Sequence, residues 1–302
     1  MKKSFSVMIV AWVMLAAVQS SARPNILFAI SDDQSWPHAG AYGCQFVKTP
    51  AFDRIAREGI LFNNGFCAAP QCSPTRASIL TGRNIWQNEE AGTHASWFPK
   101  ELQVYTEILQ AEGYHVGYTG KGWAPGKIEP GGRTENPAGK VYSVKSEQPP
   151  PATGISKIDY AAGFEKFIRE RKAGQPFCFW YGASEPHRGF EYGSGAKAGK
   201  RLAEAVVPAF LPDDPLIRND LLDYALEIEW FDTHLERIMA RLEKMGELEN
   251  TLIVVTSDNG MAFPRAKANL YELGIHMPLA ARWGQGISKP GRAVDDFVNH
   301  ID

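Results

Sequence analysis

The sequence predicts an α/β fold with a mainly parallel central sheet flanked by helices. Three observations predict it. Short continuous apolar runs at Ile26–Ile30, Phe177–Tyr181 and Leu252–Val255 have the length of strands buried on both faces. Between them lie stretches whose apolar residues recur three and four apart, the spacing of amphipathic helices. Each run also ends in a polar cluster, as ligand-bearing loops do at the carboxyl ends of parallel strands.

In chain order, Asn25 to Ile30 is the first strand and ends in Ser31-Asp32-Asp33. Thr49 caps a helix that Pro50 opens and Gly59 stops after Glu58. Ile60-Leu61-Phe62 is strand-like and leads to a helix with Ser73 as N-cap, Pro74 in the first turn, an apolar face of Ala77, Ile79 and Leu80, and Gly82 as the stop. That places Cys72 just before a helix N-terminus, where unpaired N–H groups and the dipole favour an anion. Arg76, one turn on, adds a forked cation.

Val104 to Glu112 reads as a helix closed by Gly113, and His115 to Tyr118 as a strand delivering Gly120-Lys121. From Trp123 to Thr153 the Pro- and Gly-rich chain lacks periodicity and reads as a long loop or insertion. Lys157 to Lys172 is helical. The strand Phe177–Tyr181 ends in Ser184-Glu185-Pro186-His187, and Glu191 to Lys200 is a loop. Asp214-Pro215 starts the longest helix, whose stripe runs through Leu221, Leu222, Ala225, Ile228, Phe231, Leu235, Ile238 and Leu242 to a stop at Gly246. Leu252 to Val255 is a buried strand ending in Ser257-Asp258-Asn259-Gly260.

A net charge of −2 excludes nucleic acid and anionic membrane as default partners. Met1-Lys2-Lys3, the apolar run Val7 to Val18 and Ser20-Ser21-Ala22 form an export signal over residues 1–22, leaving one domain over 23–302. The run is short for a membrane span and no cysteine follows it closely, so no stable membrane anchor is expected. The expected location is periplasmic or secreted. Of the four cysteines, Cys44, Cys67, Cys72 and Cys178, at most one pair forms a disulfide if Cys72 is modified. Asp32, Asp33, Asp258 and Asn259 offer oxygen ligands only, which suit Ca²⁺ or Mg²⁺ rather than zinc.

Cys72-Ser73-Pro74-Thr75-Arg76 followed by Thr81-Gly82-Arg83 resembles the signature of the type I, formylglycine-dependent sulfatases. The resemblance runs from about Pro24 to the last residue and implies an alkaline phosphatase-like sulfatase fold. It further implies that a maturation enzyme oxidises Cys72 to formylglycine, whose hydrate attacks sulfur. A divalent cation, usually calcium with magnesium possible, is then held by Asp32, Asp33, Asp258, Asn259 and residue 72. Arg76 steadies the hydrate, Lys121 and Lys267 contact the sulfate, and His187 bonds the sulfate or protonates the leaving group.

The heparan N-sulfatase branch is the most similar, through Asp258 to Pro264, Lys267 to Tyr271 and Pro186-His187-Arg188. By that similarity Glu185 and Arg188 contact the sugar. Trp36 and Trp123 are weighed as stacking surfaces against buried packing, the commoner role of a lone tryptophan.

Two departures stand out. The family carries a histidine two residues after the lysine of its Gly-Lys element, whereas this chain reads Lys121-Gly122-Trp123; His94 and His115 qualify as replacements by residue type alone. Family members also continue past the position of Asp302 into a C-terminal subdomain, so the chain is expected to be truncated. The expected function is that of an exported sulfatase cleaving sulfate esters or sulfamates on sulfated carbohydrate. The alternatives are a phosphodiesterase or phosphonate hydrolase on the same scaffold, and a non-catalytic glycan-binding remnant.

Overall fold

The computed structural model describes residues 23–302; the export signal expected over 1–22 lies outside the described residues. Eight strands form one sheet: β1 (Asn25–Ser31), β2 (Ile60–Phe66), β3 (His115–Gly120), β4 (Lys140–Val141), β5 (Phe177–Gly182), β6 (Thr251–Ser257), β7 (His276–Arg282) and β8 (Arg292–Asn299). The helices are α1 (Pro50–Glu58), α2 (Cys72–Thr81), α3 (Tyr105–Ala111), α4 (Tyr160–Glu170), α5 (Ser194–Lys197), α6 (Pro215–Lys244) and α7 (Glu272–Ile275).

The strand order is β4-β3-β5-β1-β6-β7-β2-β8. β1 lies between parallel partners β5 and β6, and only β7 runs against the rest. The predicted mainly parallel sheet is therefore present.

Alternation along the strands sorts two cores. Leu27 and Ala29 of β1 join Phe177, Phe179 and Tyr181 of β5 and Ile253 and Val255 of β6 under α1, α4 and α6. Phe28 and Ile30 face the other way with Trp180, against Ala77 and Leu80 of α2, Phe98 and Trp123. Each fully buried Leu or Phe in these layers contributes roughly 1.5–3 kcal/mol. The long helix α6 begins as expected: the Asp214 side chain accepts from the Leu216 and Ile217 N–H groups at 2.9 and 3.0 Å. Gly246 follows its end at φ 70°.

Besides the two-residue β4, two strands carried no readable signal. β7 contains Pro278, which breaks the strand pattern. The proline sits where pairing with β2 slips, between Phe62↔Leu279 and Gly65↔Met277, so its missing N–H costs no ladder bond there. β8 is a mostly exposed, polar edge strand with no alternation. The 123–153 stretch is irregular as predicted, apart from the two-residue β4 and a single 3₁₀ turn at Glu129–Gly131. The loop expected over 191–200 carries the one-turn helix α5.

A buried charge cluster at the strand ends

β1 and β6 are parallel neighbours with Ser31 opposite Ser257. Their carboxyl ends therefore set Asp32 and Asp33 beside Asp258 and Asn259, and all four are buried. The turn after β1 is tied to the turn after β6. Asp33 takes a left-handed backbone at φ 74° and donates its N–H to Asp258 Oδ1 at 3.1 Å. Gln34 N–H donates to Ser257 Oγ at 2.8 Å, and Asp258 N–H to the Ser31 carbonyl at 3.2 Å.

Cys72 comes from the second core layer. It is the first residue of α2, with Gln71 at the cap position and no side-chain cap. The expected Ser73 cap is thus corrected: Ser73 lies inside the helix, its hydroxyl donating to the Pro125 carbonyl at 2.6 Å. A tertiary hydrogen bond has outcompeted the local one. The thiol, 1% exposed, points at the strand ends, with Sγ 3.3 Å from Asp32 Oδ1 and 3.9 Å from Asp33 Oδ1.

Three cations close the cluster. Arg76, one turn along α2, donates Nε–H to Asp258 Oδ2 at 2.8 Å and Nη1–H to the Lys121 and Gly122 carbonyls at 2.9 and 3.1 Å. Its Nη2 has no hydrogen-bond partner and lies 3.9 Å from Asp32 Oδ1. Lys121, at the end of β3, reaches Asp32 Oδ2 at 2.5 Å. Lys267 Nζ lies 2.7 Å from the Asp33 carboxylate and 3.5 Å from Cys72 Sγ. His187 Nε2 stands at the rim, half-exposed and 3.9 Å from Asp33 Oδ2.

Asp33 and Asp258 differ electrostatically. Burial, then the charges of Asp32 and Asp258, push the Asp33 carboxyl up to about 6, against the pull of Lys267. Burial would also raise Asp258, but Arg76 and Lys121 outweigh it and hold this carboxyl well below the usual range. Burial disfavours the charge on Lys121 and Lys267, yet Asp32 beside the first and Asp33 beside the second lift both above the ordinary lysine value. Burial first, then Asp258 and Asp32, raise the Cys72 thiol well above its usual range. A thiol held neutral in this way is a poor nucleophile.

The cluster fits a hard cation. Ligand atoms of Asp32, Asp33, Cys72 and Asp258 lie within 4.8 Å of one another. Asn259 donates Nδ2–H to Asp33 Oδ1 at 2.7 Å and to the Gly260 carbonyl at 3.0 Å, but its Oδ1 is buried with no partner. A buried acceptor without a donor is costly, and a cation would satisfy it. Three carboxylates and an amide oxygen form a set typical for calcium or magnesium.

Cys72, Arg76, Lys121, His187, Lys267, Asp32, Asp33, Asp258 and Asn259 are therefore brought together as the sequence predicts. Glu185 and Arg188, expected from the resemblance to contact the sugar, are both engaged by protein groups. Glu185 is buried, accepting from Ser156 N–H and from the Tyr160 hydroxyl, both at 2.7 Å. Arg188 spends its fork on Asp220 at 2.6 and 3.1 Å and its Nε–H on the Ala262 carbonyl.

Trp36 stacks on His276 at 4.4 Å and Trp123 is 2% exposed, so both take the packing role. His115 starts β3 at the opposite end of the sheet from the cluster and stacks on Phe167 at 4.3 Å. His94 stands against Ser73 beside the cluster, its Nδ1 3.4 Å from Ser73 Oγ. All four cysteines are free, and no helix among the described residues is long and apolar enough to cross a membrane.

The sulfatase family model matches residues 24–302. Among characterised proteins, an ulvan-active sulfatase of Formosa agariphila is 29% identical over 93% of this chain and 53% of its own length. The human N-sulphoglucosamine sulphohydrolase is likewise 29% identical, over 93% of this chain and 59% of its own. The chain thus spans little more than half the length of these curated relatives. The solved structure of BT4656 in complex with D-glucosamine-2-N,6-O-disulfate shares the fold with a TM-score of 0.69 and 23% identity, covering 93% of this chain and 75% of that one.

Proposed function

This chain belongs to the sulfatase family, and on that premise we propose that it hydrolyses sulfate esters or sulfamates of sulfated carbohydrate. The observation that carries the reading is the position of Cys72. It opens a ten-residue helix with its sulfur against Asp32 and Asp33 and within 3.5 Å of the Lys267 ammonium. Carboxylates for a cation, ammonium groups for an anion and residue 72 meet in one buried cluster.

Formylglycine made from Cys72 by a maturation enzyme supplies a hydrated aldehyde as nucleophile and, through its second hydroxyl, a way to release sulfate. Calcium, with magnesium as the alternative, supplies Lewis-acid charge for the sulfuryl oxygens when held by Asp32, Asp33, Asp258, Asn259 and residue 72. The protein's own groups set the rest. Arg76 holds Asp258 in place and presents its unpartnered Nη2 toward Asp32. Lys121 and Lys267 are fixed positive donors placed where charge develops. His187, with solvent on one side and the cluster on the other, can carry a proton to the leaving group.

The names of the relatives support a sulfated glycan as substrate, and the export signal read over residues 1–22 supports action in a periplasm or outside the cell. The test compares turnover of an aryl sulfate, N-sulfoglucosamine and a phosphate diester by calcium-loaded protein carrying the aldehyde. The reading predicts preference for a sulfur substrate. Faster cleavage of the phosphate diester would transfer the chain to the phosphodiesterase reading, and glycan binding without any turnover to the non-catalytic one.

A further inference from the structure

The residue at 123 cannot serve as a proton acceptor. Trp123 is 2% exposed, packs edge-on against Phe98 at 5.3 Å, and donates its indole N–H to the Ser73 carbonyl at 3.0 Å. An indole N–H is a donor with no lone pair to offer, and this one is already spent.

The same serine holds a second ring. Ser73 Oγ gives its single proton to the Pro125 carbonyl at 2.6 Å and accepts the Ala95 N–H at 3.1 Å, while His94 Nδ1 lies 3.4 Å away. With the hydroxyl proton committed, Nδ1 can approach Ser73 Oγ only as a donor. Neutral His94 therefore carries its proton on Nδ1 and its lone pair on Nε2. Ser73 thus joins the first turn of α2, the 94–95 loop and the 123–125 loop, and holds a half-buried imidazole against its own side chain, one residue along the helix from Cys72.

We propose, resting on the sulfatase reading above, that His94 supplies at residue 72 the proton-accepting imidazole that position 123 lacks. In that step His94 Nε2 takes a proton from an oxygen on residue 72. The O–H bond breaks, the Nε2–H bond forms, and the imidazolium returns its proton to solvent at its exposed edge. The charged groups facing His94 are Lys267, Lys121, Asp258 and Asp32. Burial, then the two ammonium groups, lower its pKa from the ordinary histidine value, which keeps the ring neutral and able to accept.

The experiment has two arms. In the first, His94→Ala and His94→Gln are compared with the parent at equal aldehyde content, measured by mass at residue 72. Both variants should lose kcat by on the order of 10²-fold, and added imidazole should recover part of the loss in His94→Ala. The glutamine variant keeps a hydrogen-bonding group beside Ser73 but cannot take a proton, so it separates proton transfer from folding. Unchanged kcat in either variant would overturn the proposal.

The second arm needs no turnover. The His94 imidazole signal of the Cys72→Ala protein is followed by NMR as inorganic sulfate is added; it should shift and titrate at higher pH, because the bound anion offsets the two ammonium groups. A signal indifferent to sulfate would overturn the placement of His94. If that signal responds while the aldehyde-bearing parent turns over no sulfur substrate, the sulfatase reading fails and the placement of His94 stands.

Discussion

Of the three buried arginines among the described residues, Arg282 and Arg76 each face two carboxylates, and these two are built differently. Arg282 on β7 donates Nε–H to Glu58 at 2.8 Å, Nη1–H to the Leu248 carbonyl at 3.0 Å and Nη2–H to Glu249. Each of its three nitrogens has an acceptor, and its acids stay partly exposed. Arg76 on α2 is also fully enclosed, yet its Nη2 is unpartnered and Asn259 Oδ1 nearby lacks a donor. A structural ion pair closes its valences, because an unmet buried polar group costs stability. A cluster that leaves valences open at the end of a parallel sheet is arranged for something that arrives from outside.

That contrast can be broken most forcefully at residue 72. Cys72→Ala should abolish sulfate release, by on the order of 10⁴-fold or more, while the circular dichroism spectrum is retained; residual turnover near the parent level would remove residue 72 from the chemistry. Arg76→Ala should cost on the order of 10²–10³-fold in kcat, the usual loss for a preorganised donor, as steady-state kinetics on an aryl sulfate would show. The matching change on the other side, Arg282→Ala, should lower unfolding stability by roughly 2 kcal/mol, since its acids are partly solvated, and leave kcat per folded molecule unchanged. Urea unfolding with parallel kinetics decides this. A loss of kcat in Arg282→Ala equal to that in Arg76→Ala would erase the distinction.

The smallest effect concerns a buried acid with no cation. Burial, then the neighbouring acids Glu185 and Asp223, push the Glu227 carboxyl up from 4.5 to about 8. The folded state therefore holds this proton more tightly than the unfolded chain does. Its contribution is complete below about pH 4.5 and is lost as pH rises toward about 8. Glu227→Gln should flatten that part of the stability curve, measured as urea midpoints between pH 5 and pH 8. An unchanged slope would show that Glu227 is not held protonated.

Most of the architecture could be read from the chain because its signals are local. The buried strands β1, β5 and β6 are continuous apolar runs, and α6 carries both an Asp214 cap and a long stripe. Asp32, Asp33, Lys121, His187, Asp258 and Asn259 were readable because polar groups after such strands must share one end of the sheet, whereas Cys72 and Arg76 were marked by their helix start and signature and Lys267 by the family resemblance alone. β7 and β8 were not readable: Pro278 masks the first, and the second is a polar edge. Nor do sequence positions show that Glu185 finds Tyr160, that Arg188 finds Asp220, or that Ser73 bonds Pro125 and not its own helix. Those outcomes depend on partners 25, 32 and 52 residues away. His94 lacked any local mark, because its place depends on the hydroxyl proton of a residue in another segment.

The chemistry depends on what residue 72 becomes, and the decisive measurement is the mass of the proteolytic peptide spanning it, taken from protein exported by a cell with a formylglycine-generating enzyme. Conversion of the thiol to the aldehyde predicts a peptide about 18 Da lighter than its sequence mass, a product distinct from the usual cysteine oxidation ladder. A peptide at full sequence mass, with a thiol that still reacts with iodoacetamide, would contradict it.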